Sequence, residues 1–221
     1  MISVGTQAAL QPQPGWAETV RGAKRDAILT AAREVFGQDG LEGATMRKIA
    51  LRAGCTTGAI YPLFASKEMI YAELLASSLS DLHAHVRQAF DQPTTNAQTS
   101  RHAAAVHAFL AYYLARPYEV NLGLYAFNGL KQTGVGKQDD QTLNQALTQT
   151  LLLLAPHRPA GKSRQPNTQA MCAFAQLIGT LVLHQAGRLK PGRHQPQALI
   201  AHYLQTQHIA ENQETDDDNS N

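Results

Sequence analysis

Residues 45–68 read TMRKIALRAGCTTGAIYPLFASKE, and three helix starts fall within these 24 positions. Thr45 is an N-cap type of residue with Ile49, Ala50 and Ala53 behind it at i, i+1 and i+4, which predicts a short helix from about Met46 to Ala53 with one small apolar face. Gly54 tolerates the left-handed backbone that closes a helix, and Cys55 and Thr56 complete a three-residue turn before a second helix opens. Two short helices joined by a glycine-containing turn of this length make a helix-turn-helix. The second, about Thr57 to Phe64, has small residues first (Thr57, Gly58, Ala59) and large ones after (Ile60, Tyr61, Leu63, Phe64), so its leading turn can approach another surface closely. That suits insertion into a major groove.

Ser66 caps a third helix whose first position is Lys67, followed by Glu68. A cation there opposes the macrodipole by about 0.3–1 kcal/mol, and an anion such as a phosphate beside Lys67 and the free first-turn amides reverses that sign. Pro62 lacks an N–H and its ring crowds the carbonyl of Gly58, which predicts a kink or tightening in the second helix.

The segment resembles the DNA-binding region of TetR-family (tetracycline-repressor-type) transcription regulators. The match consists of Thr45, Ile49-Ala50-Leu51-Arg52-Ala53-Gly54, Thr56, Gly58, Ile60-Tyr61, Phe64 and Ser66-Lys67-Glu68, and extends back through 31–36 and Gly40 to cover roughly residues 24–72. The resemblance implies that Thr45, Thr57, Tyr61 and Lys67 contact DNA phosphates and that Arg47, Thr56, Thr57 and Gly58 face bases or the groove wall. It departs at Pro62-Leu63, where the family has an aromatic or polar residue followed by His, so Leu63 has no hydrogen bond to give a phosphate. Cys55 stands in place of the commoner Val, a substitution a small side chain permits.

The resemblance also implies an all-α fold: an N-terminal three-helix DNA-binding domain and a C-terminal helical ligand-binding and dimerisation domain, about nine helices in all. On this reading 1–20 is a flexible arm, 21–68 the DNA-binding domain with its motif at 45–64, 69–208 the effector and dimerisation domain, and 209–221 a disordered acidic tail. The implied function is a ligand-responsive regulator, most simply a cytoplasmic homodimeric repressor. It binds a pseudo-palindromic double-stranded DNA operator and is released by a small apolar or aromatic effector. The alternative is a regulator acting through a protein partner, or an activator, with weak intrinsic DNA binding.

Composition agrees with that class. The 221 residues are 43% hydrophobic, enough for a sizeable core, and no stretch reaches 18 apolar residues, so no membrane partner is expected. The start, MISVGTQAALQPQPGWAE, has neither a charged n-region nor a long apolar run. Cys55 and Cys172 read as two core thiols in a reducing compartment. The net charge of +2 hides an uneven distribution: the last eleven residues carry −5, so the rest carries +7. Between Arg21 and Glu68 eight Lys/Arg face five Asp/Glu, a moderate phosphate-facing bias.

Outside the motif the 3.6 period dominates. Ile28, Ala32, Val35 and Phe36 predict an amphipathic helix ending before Gly37 and Gly40, its stripe covering the back of the helix-turn-helix. Tyr71, Leu75, Leu79, Leu82, Val86 and Phe90 predict one long helix continuous with the DNA-binding unit. A helix follows to Arg116, another opens at Pro117, and Asp139 to Leu154 is helical. Lys131 to Gln138 and Ala155 to Thr168 read as loops. The 170–185 helix is apolar on nearly every side and must be covered twice, and Pro196 starts a last helix.

The family resemblance pairs these last two helices with their twofold mates, and Leu177, Thr180, Leu181, His184, Ile200, Tyr203 and Leu204 are the candidate dimer residues. His107, Tyr112, Tyr125, Asn128, Phe174 and Gln176 are candidate effector residues, although aromatic stripes at this spacing serve cores as well as pockets. His83 and His85 face apart, and no clustered Cys/His spacing exists, so neither metal nor cofactor is expected. The sequence carries no nucleophile elbow, Walker loop or dinucleotide fingerprint, and a catalytic function is not expected.

Overall fold

A computed structural model describes residues 15–93, 100–127, 145–155, 165–190 and 192–218; the side chains of 124–127 and 208–218 are not among those described. Among the described residues there are nine helices and no strand. They are α1 (Trp16–Gly43), α2 (Met46–Arg52), α3 (Thr57–Ile60), α4 (Lys67–Asp91), α5 (Arg101–Leu114), α6 (Pro117–Phe127), α7 (145–151), α8 (Thr168–Gln185) and α9 (Pro196–Asp218).

α1 buries Ile28, Ala31, Ala32, Val35 and Phe36, the face its periodicity requires, and packs against α2, α4 and α6. It differs from the expectation at both ends. It begins at Trp16, inside the segment read as a flexible arm, and it passes through Gly37 to break at Gly40, whose φ of 67° and ψ of 179° are non-helical. Gly37 serves packing instead of ending the helix: a Cβ there would lie 2.6 Å from Cδ1 of Tyr118 on α6.

α4 is 25 residues long, roughly 37 Å at the α-helical rise. Its buried row of Ile70, Tyr71, Leu74, Leu75, Ser78, Leu79, Leu82 and Val86 contains the stripe seen in sequence as far as Val86, and Phe90 beyond it is half-buried. α5 lies against α4 and also touches α8 and α9, which explains why it is buried on two sides through Val106, Phe109, Leu110, Tyr112 and Tyr113. α6 opens at Pro117 and wedges between α1, α4 and α5. Its Leu122 carbonyl accepts from the Tyr71 hydroxyl, and its Asn121 amide donates to Gly37 O at 3.2 Å.

α8 ends at Gly187 (φ 68°), where Arg188 N bonds Leu183 O at 2.9 Å and Gly187 N bonds His184 O at 3.0 Å, a Schellman closure. The helix turns Ala170, Ala173, Leu177, Thr180 and Leu181 into the protomer. Four of the candidate dimer residues are therefore inside the chain's own core: Leu177, Thr180, Leu181 and Ile200 are each no more than 2% exposed. Tyr203 and Leu204 are half-buried against that core, and His184 alone of the seven is exposed. The outward face carries Met171, Cys172, Ala175, Gly179, Val182 and Leu183 instead, so Cys172 is exposed and not a core thiol. α9 continues through the acidic residues to Asp218 instead of stopping near 208, a stretch in which Glu and Gln are good helix formers. Residues 128–144 and 156–164, which include both predicted loops in large part, lie outside the described residues.

Candidate DNA-binding surface

The helix-turn-helix is built from local chemistry at each junction. The Thr45 side chain accepts from Lys48 N at 3.2 Å and starts α2. At its other end Gly54 has φ 66°, Cys55 N bonds Ala50 O at 2.9 Å and Gly54 N bonds Leu51 O at 3.2 Å, a second Schellman closure. Ser66 accepts from Met69 N at 3.3 Å and starts α4. Ile49, Ala50, Ile60 and Phe64 are buried in the same core cluster as the apolar residues of α1 and α4.

α3 is shorter than expected and shows the effect of Pro62. Regular helix stops at Ile60, and Leu63 N then bonds Ile60 O at 2.8 Å, an i to i+3 bond that tightens the turn the proline interrupts. Leu63 is half-buried against the hydrophobic core, so the departure from the family pattern is absorbed by packing. Arg25 completes the clamp. Its guanidinium lies 4.4 Å over the Phe64 ring, its Nη1 donates to Leu63 O at 3.4 Å and its Nε to Glu73 at 3.1 Å. Arg25 thus holds the end of α3, a role that only a non-local cation–ring contact reveals.

The expected DNA-facing residues divide in two. Thr45, Arg47, Thr56, Gly58 and Tyr61 are exposed, and Thr57 is half-buried. Gly58 has no close neighbour in its own chain, since a Cβ there would meet nothing nearer than 3.9 Å, so internal packing does not require glycine at the leading turn. Arg47 makes no ion pair among the described residues. Lys67 is placed differently: its Nζ donates to Leu41 O at 2.8 Å and to Ala44 O at 3.1 Å. The cation that local reasoning found misplaced at the start of α4 is offset by the last carbonyls of α1. Lys48, which sequence reading did not single out, is likewise held, by Asp39 at 2.8 Å and Gly43 O at 2.9 Å.

Four of the six candidate effector residues have described side chains. Tyr112 is buried with its hydroxyl donating to Glu119 at 2.7 Å, Phe174 packs edge-on to Phe109 with centroids 6.0 Å apart, Gln176 is half-buried, and His107 is exposed. The side chain of Tyr125 and the whole of Asn128 lie outside the described residues. Burial and then the Glu119 hydrogen bond push the Tyr112 phenol well above its ordinary value, so it stays a donor. A cleft of about 360 Å³ lies elsewhere, where the end of α4 meets the start of α5 and the end of α7. Among the described residues no group of three or more His, Cys, Asp or Glu is arranged to hold a metal, and no helix is long and apolar enough to cross a membrane.

A short capped helix, a left-handed glycine turn and a second helix with an exposed leading face, within an all-helical set of described residues, define a helix-turn-helix. Residues 28–74 match the family described as bacterial regulatory proteins, tetR family. It is 39% identical over 92 residues to the HTH-type transcriptional activator FasR of Mycolicibacterium smegmatis, covering 42% of this chain and 41% of the relative. It is 36% identical over 73 residues to the HTH-type transcriptional repressor KstR2 of the same species, covering 33% of this chain and 36% of that one. The chain thus spans less than half the length of these curated relatives in the matched region. In fold it is similar to the transcriptional regulator FadR from Bacillus subtilis in complex with stearoyl-CoA, with a TM-score of 0.58 at 19% identity over 81% of this chain and 95% of that one.

Proposed function

We propose that this chain is a cytoplasmic, homodimeric transcription regulator that binds a pseudo-palindromic DNA operator and is released from it by a small-molecule effector. The observation that carries the reading is the helix-turn-helix itself. Thr56, Gly58 and Tyr61 stand exposed on its second helix and the turns flanking it, with Arg47 and Thr45 exposed beside them on the first. Such a face supplies hydroxyl and guanidinium donors for phosphates and groove edges. Dimerisation is supported by the outward stripe of α8, where Met171, Val182 and Leu183 are between 41% and 46% exposed. A twofold pair would set two such motifs on two half-sites.

The relatives named above include one activator and one repressor; we propose repression, with the operator overlapping its promoter. The B. subtilis neighbour that takes stearoyl-CoA supports a small-molecule effector for this chain too. A regulator role, without catalysis, accounts for the exposed face best.

Selection of bound duplexes from a random pool by the purified full chain tests this. An enriched inverted repeat with half-sites about one helical turn apart is the expected result. Recovery of no motif from a folded dimer would overturn operator binding and favour a regulator that acts through a protein partner.

A further inference from the structure

We propose that the cleft between the ends of α4 and α7 and the start of α5 is a binding site for a hydroxylated aromatic carboxylate. Its acid group would be held by Arg87, its hydroxyl by His83 and its ring by Phe90 and His102. The site deepens the regulator reading and rests on it only for the link to DNA.

The volume of about 360 Å³ is within the range of small-ligand sites. The walls are of two kinds. Leu152, Leu153, Ala155 and Phe90 are apolar, and the Phe90 and His102 rings meet at 63° with centroids 5.3 Å apart, leaving an aromatic edge on which a planar body can lie. Arg87 and His83 supply polarity on one side, from adjacent turns of α4.

Arg87 is a weakly committed cation. It gives Nε to Asp91 at 2.6 Å, an i, i+4 pair with both side chains more than half exposed, and such pairs are individually weak. The rest of the guanidinium fork suits a second carboxylate presented from the cleft, where the apolar wall excludes part of the competing water.

His83 is set up as an acceptor. Thr150 Oγ1 lies 3.2 Å from Ala146 O and 3.2 Å from His83 Nδ1, and donation from Thr150 to the carbonyl with donation from the imidazole to Thr150 satisfies both contacts. In that arrangement the proton is on Nδ1 and Nε2 is left to accept. Burial, with Arg87 beside it, holds this imidazole below its ordinary value and in that neutral form at pH 7. An acceptor next to a guanidinium matches a ligand with one acid group and one hydroxyl. The guanidinium also repels a metal cation, which the two imidazoles would otherwise invite.

The test is calorimetric titration of the full chain, without DNA, with 6-hydroxy-2-naphthoate, 2-naphthoate and 2-naphthol. Hydroxynaphthoate should bind tightest, naphthol about tenfold more weakly, and naphthoate several-fold more weakly. Arg87→Gln should abolish the preference for the acid over naphthol while leaving naphthol binding in place. Asp91→Asn should tighten hydroxynaphthoate by removing the competing carboxylate, an effect that damage to the fold would not produce. Equal affinity for all three probes, no binding at millimolar concentration, or an unchanged order in Arg87→Gln would each overturn the proposal. Because DNA is absent, a chain that selects no operator can still pass this test, and one that selects an operator can still fail it.

Discussion

The Tyr112 hydroxyl donates to Oε2 of Glu119 at 2.7 Å, and the same oxygen receives the Ser78 hydroxyl at 2.9 Å. Glu119 is 5% exposed, and its other oxygen lies 3.7 Å from Nη1 of Arg33. One carboxylate on α6 is thereby tied to α5, α4 and α1, which joins the body of the protein to the helix that backs the recognition motif.

Tyr112→Phe removes one donor from a buried carboxylate, a loss of about 1.5–3 kcal/mol for a hydrogen bond to a charged group. For a chain of this size that lowers Tm by several degrees. The sign with pH follows from the raised phenol: its stabilisation is complete below the unfolded value near 10 and is lost as pH rises above it. Thermal melts from pH 8 to 11 should show an alkaline fall in wild type, to which Tyr113, pushed the same way by burial and then Glu119, also contributes. Tyr112→Phe should flatten part of that fall. A melting temperature equal to wild type at pH 8 would mean that the hydrogen bond contributes nothing.

The junctions of the helix-turn-helix were legible because each is made by residues adjacent in sequence: Thr45 and Ser66 cap their own helices, Gly54 closes α2, and Pro62 tightens the turn it sits in. Glu119 was not legible. A glutamate two residues after Pro117 reads as an ordinary first-turn acid that complements the helix dipole, and only the tertiary packing of α6 buries it. The outward side of α8 was hidden for the opposite reason. Apolar residues surround that helix, so periodicity left open whether Leu181 or Leu183 faces the protomer, and contact with α5 and α9 decides it.

Gly37 sets two effects against each other. Gly→Ala in a helix interior gains about 1 kcal/mol of propensity, but the new Cβ would be 2.6 Å from Tyr118 Cδ1 and 3.0 Å from its Cβ. The near approach of Tyr118 Cβ means that rotating the ring away is not enough, and overpacking of this kind costs about 1–3 kcal/mol. Gly37→Ala should therefore destabilise in chemical denaturation, whereas Gly37→Ala with Tyr118→Gly, which removes that Cβ as well as the ring, should be more stable than Tyr118→Gly alone. If the single variant is stabilised, α6 can move away from α1 more freely than its packing suggests.

The lysine and arginine of the motif should separate in a salt titration. Arg47 is exposed and has no ion pair among the described residues, so Arg47→Ala should weaken binding to a selected operator and flatten the salt slope by about one unit per protomer. Lys67 already spends two donations on Leu41 O and Ala44 O. Lys67→Met should lower thermal stability and operator affinity while leaving the slope near its wild-type value. A slope that flattens equally in both variants would restore Lys67 to the phosphate backbone.

Val182 and Leu183 stand 41% and 43% exposed on α8, while Leu181 beside them is 1% exposed. A glutamate at 183 meets water in the protomer and an apolar twofold mate in a dimer, where an unpaired carboxylate is strongly disfavoured. Leu183→Glu should therefore convert a dimer to a monomer in sedimentation with its helical circular dichroism intact, and operator binding should weaken because only one half-site is then held at a time. Leu181→Glu puts the same charge into the core between α8, α5 and α9 and should unfold the chain. A Leu183→Glu protein that remains dimeric would move the interface away from the outward stripe of α8. Were both variants to unfold, Leu183 would have to be packed as firmly as Leu181, contrary to its exposure.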